Sequence, residues 1–168
     1  MSKFQQSDNR SEATTDVWLT PPELVRSLGE FTLDPCAPAD APWYHAPIYY
    51  TEAIDGLKMP WFGRVFCNPP YGRAARVWLE RCANHGNAIA LIFARVETNM
   101  FIDFVWKRAD AVMFLNKRIG FANERGEYQD RAGAPSCLIA YGEENHRALH
   151  NCSMGGTIVD IKRGSVTV

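Results

Sequence analysis

Apolar runs of strand length alternate with amphipathic segments along most of this chain. The apolar runs lie near residues 31–33, 48–50, 64–67, 88–93, 111–115, 136–141 and 157–161. Apolar residues recur at helical spacing near 20–28, 74–83 and 101–108. The run 88–93 contains no polar residue, which is typical of a central parallel strand that is covered on both faces. Strands that alternate with helices predict an α/β fold built on a doubly wound sheet.

The N-terminus follows neither pattern. Residues 1–16 are polar and have no apolar periodicity, so we expect a flexible leader followed by a single domain over residues 17–168. The first predicted helix has a clear start signal, because Thr20 can cap it and Pro21 suits its first position. Glu23 lies three residues after the cap, as a capping box requires.

Composition and cysteine count limit the class of protein. The length of 168 residues fits one domain, and the contents of 46% hydrophobic and 22% charged residues are typical of a globular protein. No apolar run reaches the ~18 residues of a membrane-spanning helix, and the polar N-terminus lacks the apolar core of a signal peptide. The cysteines number five, which is odd, and none forms a C-x-x-C pair. These features predict a cytoplasmic protein with reduced thiols and exclude secretion, membrane insertion and a disulfide scaffold.

Charge is distributed unevenly along the chain. The formal net charge is -1, so the protein as a whole is not a basic DNA-coating protein. Residues 1–63 contain four Lys and Arg against nine Asp and Glu, whereas residues 64–168 contain fourteen against ten. This asymmetry is a weak indication that the C-terminal two-thirds face a polyanion.

Polar residues follow two of the predicted strands at the point where each strand ends. Asp34 follows the run 31–33, and Asn68 follows the run 64–67. In a doubly wound sheet, ligands bind in the crevice beyond the carboxyl ends of the strands, so both residues are expected to line one site. Asp55-Gly56 is a turn signal by itself and lies close enough along the chain to reach the same crevice.

Asn68-Pro69-Pro70-Tyr71 is the most informative tetrapeptide in the chain. The prolines stiffen the backbone and remove two amide donors, so a carboxamide oxygen and the Pro69 carbonyl can both accept hydrogen bonds from one small amine. The tyrosine ring offers a flat face on which a heterocycle can stack. Two acceptors and a stacking plane suit a planar exocyclic amine such as N6 of adenine, whose attack they would favour by fixed dipoles. The alternative is a rigid turn without a ligand.

Cys36 has a possible role as a nucleophile, since it follows a proline at a strand end. The neighbouring Asp34 and Asp40 would raise the pKa of its thiol, so we interpret Cys36 as a buried strand-end residue.

His146 and His150 have the four-residue spacing of metal ligands on one helical face. No carboxylate motif accompanies them, so we expect no metal site. Arg118 lies in a polar stretch, 116–135, which is either a solvated loop or a phosphate-binding surface.

The order of these motifs resembles that of the phage and prophage DNA N-6-adenine methyltransferase (Dam-like) family over about residues 17–142. The similar segments are Thr20–Val25, Asp34–Ala37, Asp55–Leu57 with Trp61, Val65–Tyr71, Phe93–Thr98 with Phe101, and Arg118–Phe121. The resemblance implies a Rossmann-like class I methyltransferase fold, with a mostly parallel sheet, an antiparallel C-terminal strand and helices on both faces. It also implies transfer of a methyl group from S-adenosylmethionine to N6 of an adenine flipped out of double-stranded DNA, in the cytoplasm of a bacterial host.

The resemblance assigns three roles to residues of this chain. The catalytic residues are Asn68, Pro69, Pro70 and Tyr71. The cofactor-binding residues are Thr20, Pro21, Asp34, Pro35, Asp55 and Gly56. The residues expected to contact DNA or the target base are Tyr71, Arg73, Arg118 and Phe121.

This sequence departs from the family pattern at the cofactor. The first cofactor motif has no glycine directly after Asp34, and either Asp40 or Glu52 could bind the cofactor ribose. A separate target-recognition domain does not fit in this length, so the loops 71–76 and 116–135 are expected to read the DNA.

Alternative functions follow from the same tetrapeptide. It also serves enzymes that methylate planar nitrogens in RNA bases or in protein glutamine, and a catalytically silent DNA-binding module could keep the fold. A nucleotide-binding Rossmann protein would need a Gly-x-Gly-x-x-Gly loop, which this chain lacks. The oligomeric state stays open.

Overall fold

The computed structural model describes residues 18–128, 132–162 and 165–167, the last of these as backbone only. The predicted leader, residues 1–16, lies outside the described residues. The described part of the chain folds around one eight-stranded sheet with helices packed on both faces. The predicted α/β class is therefore confirmed.

The elements follow the predicted order. The helices are α1 (Pro22–Arg26), α2 (Ala75–His85), α3 (Asn99–Phe101), which continues as a π-helical segment (Ile102–Trp106), and α4 (Glu143–His150). The strands are β1 (Leu33–Asp34), β2 (Ile48–Tyr49), β3 (Val65–Cys67), β4 (Ala88–Phe93), β5 (Ala111–Leu115), β6 (Ser136–Tyr141), β7 (Gly156–Asp160) and β8 (Ser165–Thr167). Helix α4 and strand β8 had no predicted counterpart. Among the described residues no helix has the length and apolar character needed to cross a membrane.

The sheet is mixed. Its strand order is β2-β1-β3-β4-β6-β5-β7-β8, and the first four strands pair in parallel. The other four pairings are antiparallel, because β6 and β7 run opposite to the remaining strands. The expectation of a mostly parallel sheet with one antiparallel C-terminal strand is therefore wrong, because two strands, β6 and β7, are reversed. A continuous apolar run such as β4 has the same pattern beside a parallel or an antiparallel neighbour, so the sequence does not distinguish them.

Strand β4 lies at the centre of two hydrophobic layers. Ala88, Ala90 and Ile92 face the layer formed with α2 and the 99–106 helical segment. Ile89 and Leu91 face the layer formed with α1 and α4. Because successive side chains of a strand point to opposite faces, a strand covered on both sides is apolar at every position, as predicted for 88–93.

A buried arginine joins the two helices of the second layer. Arg64, just before β3, donates from Nε to Asn145 Oδ1 in α4 at 2.7 Å. Its terminal nitrogens donate to the carbonyl oxygens of Leu28 and Glu30, which follow α1, at 2.8 Å each. These bonds satisfy most of the N–H donors of the charged guanidinium, as its burial in the interior requires.

Helix α1 begins differently from the prediction. Pro21 precedes its first residue, and no side chain caps it. The Thr20 hydroxyl accepts a hydrogen bond from Asn68 Nδ2 at 3.1 Å, so the predicted cap at Thr20 is wrong. The local capping signal is overridden by a contact with a residue 48 positions away.

Candidate functional site

The predicted crevice lies at a switch point of the sheet. Strand β1 sits between β2 and β3, so the chain leaves β1 to one side and returns for β3 on the other. At such a point the loops after the two strands diverge and leave space beyond their carboxyl ends. A cavity of about 610 Å³ lies there. It is lined by Asp34, the last residue of β1, by Pro35 directly after it, and by Asn68 to Tyr71 after β3. Its volume is within the range of about 300–1,000 Å³ for small-molecule sites.

The Asn68 side chain is held so that its oxygen has no partner. Nδ2 donates to the backbone oxygen of Trp18 at 3.0 Å and to Thr20 Oγ1 at 3.1 Å. Since a backbone carbonyl can only accept, these contacts identify the nitrogen and fix the direction of Oδ1. Oδ1 is buried and receives no hydrogen bond within the described part of the chain. An unsatisfied buried acceptor costs about 1–3 kcal/mol, which a hydrogen bond from a ligand would offset.

The backbone after Asn68 provides a second acceptor. The Cys36 thiol donates to the Asn68 carbonyl oxygen at 3.1 Å, so that oxygen is occupied. No described residue donates to the Pro69 carbonyl oxygen, and Pro69 lines the cavity. Because neither Pro69 nor Pro70 has an N–H group, the loop itself cannot supply a competing backbone donor at these positions.

Tyr71 presents only one face to a ligand. Its ring stacks on Phe93 at the end of β4, with ring centroids 4.1 Å apart and an interplanar angle of 12°. The ring also lines the cavity, so the face turned away from Phe93 is the one on which a ligand could stack. The Tyr71 hydroxyl is buried with no partner among the described residues, and burial raises its pKa.

Asp34 places a buried carboxyl group in the cavity, and few hydrogen bonds offset the cost of its burial. Its side chain is 5% exposed, and it accepts one hydrogen bond, from the backbone N–H of Cys36 at 3.2 Å. Burial raises the pKa of the carboxyl from 3.8 to about 7, and the bond from Cys36 opposes this only in part. A cationic group of a ligand placed beside Asp34 would stabilise the ionised form.

The buried Asp34 carboxyl is expected to make the unliganded protein less stable as the pH rises. Its pKa is higher in the native state than in the unfolded chain, so the native state binds the proton more tightly. Stability from this group is complete at low pH and falls as the pH rises from about 4 to about 7. Between about pH 5 and pH 7 the loss is on the order of 2 kcal/mol, at about 1.4 kcal/mol per pKa unit.

Thermal melts of wild type and Asp34→Asn over this pH range measure the effect. The variant cannot ionise at this position, so its melting temperature should rise relative to wild type as the pH increases. If the melting temperatures of the two proteins changed with pH in the same way, the Asp34 carboxyl would not be buried with so few hydrogen bonds.

Asp55 and Gly56 reach the cavity, as the sequence suggested. Asp55 is partly exposed and forms an ion pair with Lys58 at 2.8 Å. The hydrogen bond from Lys58 lowers the pKa of the Asp55 carboxyl. Gly56 packs against the backbone of Pro35, where an added Cβ would overlap the carbonyl oxygen. The segment is thus fixed against the end of β1.

Thr20→Val should weaken the methyl transfer that the family resemblance implies, without unfolding the protein. Thr20 is 2% exposed, and valine keeps its shape but removes the oxygen that accepts from Asn68 Nδ2. The Asn68 amide would then keep one of its two contacts, so its oxygen would be less well fixed. We expect the turnover rate to fall by about tenfold, since misplacement of a positioned group by a fraction of an ångström is costly.

Thr32→Val is the matched control for this change. The Thr32 hydroxyl also accepts one hydrogen bond, from Arg64 N at 3.2 Å, but Thr32 does not line the cavity. A rate loss as large in Thr32→Val as in Thr20→Val would assign the effect to general stability.

Four of the predicted site residues do not line the cavity. Pro21 is buried beside Thr20 and begins the turn into α1. Arg73 and Arg118 are exposed, and Arg118 donates to the Ala132 carbonyl oxygen at 3.3 Å. Phe121 is fully buried, with its ring 6.2 Å from that of Tyr71, so it lies behind the cavity wall.

Other residues line the cavity that the sequence analysis did not assign. Trp18, Trp43, Tyr44 and His45 form part of its wall, and Trp43 Nε1 donates to the Thr20 carbonyl oxygen at 3.0 Å. Burial lowers the pKa of His45 to about 4, so its ring is neutral at physiological pH. The only signal for Trp43, Tyr44 and His45 was the aromatic content of the irregular segment between β1 and β2.

The chain matches the model of a known protein family. The family model described as DNA N-6-adenine-methyltransferase (Dam) matches residues 6–156, which is most of the chain. No curated protein and no solved structure gives a significant match.

Proposed function

Because this chain belongs to the DNA N-6-adenine-methyltransferase family, we propose that it transfers a methyl group from S-adenosylmethionine to the N6 amine of adenine in double-stranded DNA. We further propose that the fold is of the Rossmann-like class I methyltransferase type. The parallel half β2-β1-β3-β4 and the switch point between β1 and β3 support that assignment.

The unpartnered Asn68 oxygen is the observation that carries the proposal. Oδ1 and the Pro69 carbonyl oxygen would accept the two N–H groups of the target amine, with the base against the free face of Tyr71. Both hydrogen bonds strengthen as the nitrogen gains positive charge, so they favour the transition state over the ground state. As the new N–C bond forms, the bond between the methyl carbon and the sulfonium sulfur would break and leave a neutral thioether. An amide oxygen does not remove the proton, which leaves the nitrogen for solvent after the transfer.

The other side of the cavity fits the cofactor. S-adenosylmethionine supplies a methyl group activated by a positively charged sulfur. Asp34 offers a buried carboxyl without a cationic partner among the described residues, which suits a cationic ligand. Thr20, Pro35, Asp55 and Gly56 also line the cavity and are proposed to contact the cofactor, whereas Pro21 would act by fixing the turn that carries Thr20.

The DNA is proposed to lie across the mouth of the cavity. A base inside a duplex cannot reach acceptors at this depth, so the target adenine would be flipped out of the stack. Exposed Arg73 and Arg118 would contact phosphates, and such contacts weaken steeply with salt. Phe121 would support the Tyr71 ring from behind.

Radioactive S-adenosylmethionine and unmethylated DNA test the proposed substrate. The protein should label a duplex that contains adenine and leave an adenine-free G·C duplex unlabelled. Label in RNA or in protein, with none in DNA, would overturn the substrate. Retention of DNA without any transfer would identify a silent binding module.

Asp55→Asn should weaken cofactor binding by about tenfold and leave DNA binding nearly unchanged. Asn is chosen because Asp55 has a backbone φ of 55°, a left-handed conformation that Asn tolerates better than Ala. Lys58→Ala is the control, since it removes the ion pair but keeps the carboxylate. Calorimetric titration with the cofactor and fluorescence anisotropy with DNA separate the two affinities. Equal losses in both, or the same loss in Lys58→Ala, would count against a cofactor role for Asp55.

A further inference from the structure

A second cluster of ionisable side chains lies where α4 meets β7. His146 Nε2 is 2.7 Å and His150 Nε2 is 3.0 Å from the same oxygen, Asp160 Oδ1. The two histidines have the spacing of metal ligands on one helical face, and the reason against a metal site was the lack of a carboxylate. Asp160, ten residues after His150 and at the end of β7, supplies that carboxylate.

We propose that His146, His150 and Asp160 bind one divalent transition-metal ion of the zinc class. Two imidazole nitrogens and a carboxylate oxygen are a donor set typical of zinc, and a fourth position remains for water. The three ligand atoms already lie within 4.8 Å of one another. Around a tetrahedral zinc ion ligand atoms are about 3.3 Å apart. The most widely separated pair therefore needs to close by at most about 1.5 Å.

The burial of the cluster favours a defined site over a surface patch. His146 is 6% and Asp160 is 9% exposed, whereas the outer ligand His150 is open to solvent and provides an entry path. His146 Nδ1 is buried and has no partner among the described residues. The ring is therefore held only through Nε2, and no hydrogen bond at Nδ1 has to break when Nε2 turns from Asp160 to a metal.

The position of the cluster separates it from the cavity. Asp160 pairs with Ala111, the first residue of β5. Strand β5 runs in the same direction as β1 and β3. Its first residue therefore lies at the amino ends of these strands, whereas the cavity lies at their carboxyl ends. A metal here would join α4 to β7 and stabilise this end of the sheet, and it would take no part in methyl transfer.

Zinc titration of chelator-treated full-length protein tests the proposal directly. Calorimetry should show one Zn²⁺ per chain, and the ion should raise the melting temperature by several degrees. His150→Gln is the main variant, because the exposed position tolerates the change without unfolding. Its zinc affinity should fall by more than about tenfold, since even outer-shell partners of metal ligands contribute 10–100-fold. His85→Gln, which changes a histidine on α2, should bind zinc like wild type.

Two results would overturn the metal site. The first is the absence of stoichiometric zinc binding in the folded wild type. The cluster would then only join α4 to β7 by hydrogen bonds. The second is an unchanged zinc affinity in a His150→Gln, Asp160→Asn double variant. That result would show that zinc binds at another site, such as the cysteines. Cofactor affinity and methyl transfer should be the same with and without zinc, so neither outcome depends on the proposed enzymatic function.

Discussion

Asn68→Ala is expected to reduce methyl transfer by about 100- to 1,000-fold, because it removes an acceptor that strengthens its bond as charge develops on the target nitrogen. The affinities for S-adenosylmethionine and for DNA should stay within about threefold of wild type, since uniform binding is carried by other residues. Single-turnover rates at saturating cofactor and DNA measure the chemical step apart from binding.

Loss of stability must be separated from loss of catalysis in this variant. Removal of the amide also leaves Trp18 O and Thr20 Oγ1 without their donor, at an expected cost of about 1–2 kcal/mol. Asn151→Ala is the control, as an exposed asparagine at the end of α4, and it should keep the wild-type rate. A folded Asn68→Ala variant that transfers methyl groups at more than about a tenth of the wild-type rate would contradict the role of the amide oxygen.

Gly56→Ala is expected to have the second largest effect, on cofactor binding and on stability together. The added Cβ would overlap the Pro35 carbonyl oxygen, lie 2.9 Å from its carbon and meet Tyr50 Cβ at 3.3 Å. Because the clash is with backbone, either the loop after β1 or the 55–57 segment must move, and both line the cavity. We expect destabilisation by about 1–3 kcal/mol and cofactor affinity more than about tenfold lower.

Gly133→Ala provides the matched control for this substitution. A Cβ at Gly133 would meet nothing within 4 Å, and the residue is exposed. Thermal melts and cofactor titrations of both variants should therefore differ sharply. Wild-type cofactor affinity in Gly56→Ala would show that the close packing of the 55–57 segment on β1 is not required for the site.

The positions of Asp34 and Asn68 could be predicted because strand ends leave a local signal. An apolar run followed by a polar residue and proline marks the point where a buried strand stops, and parallel strands bring such points to one edge. The cavity lies at that edge, and the residues after β1 and β3 line it. Local pattern was sufficient here because the site is built directly on the sheet.

The contacts that orient Asn68 could not be predicted in the same way. Its partners, Trp18 and Thr20, are 50 and 48 residues away in the chain, and the sequence around Thr20 predicts a helix cap instead. The network of Arg64 with Asn145 spans 81 residues and has no signature in either segment. Such long-range hydrogen bonds depend on the finished packing, so propensity and periodicity do not encode them.

The reversed strands and the His–Asp cluster were missed for related reasons. Strand β6 is buried at every position because it is central, and its direction depends on the connection that precedes it. Asp160 ends a strand that was predicted, but its contact with the histidines of α4 required a helix that was not. Both features are compatible with the sequence pattern, but neither can be predicted from it without knowledge of the sheet topology.

Nucleoside mass spectrometry of DNA from cells that lack adenine methylation gives the most direct test of the central claim. Cells that express the wild-type protein should accumulate N6-methyladenine in their DNA, and cells that express Asn68→Ala at the same level should not. Absence of N6-methyladenine with the wild type, or equal amounts with both proteins, would contradict an adenine methyltransferase that acts through the Asn68 oxygen.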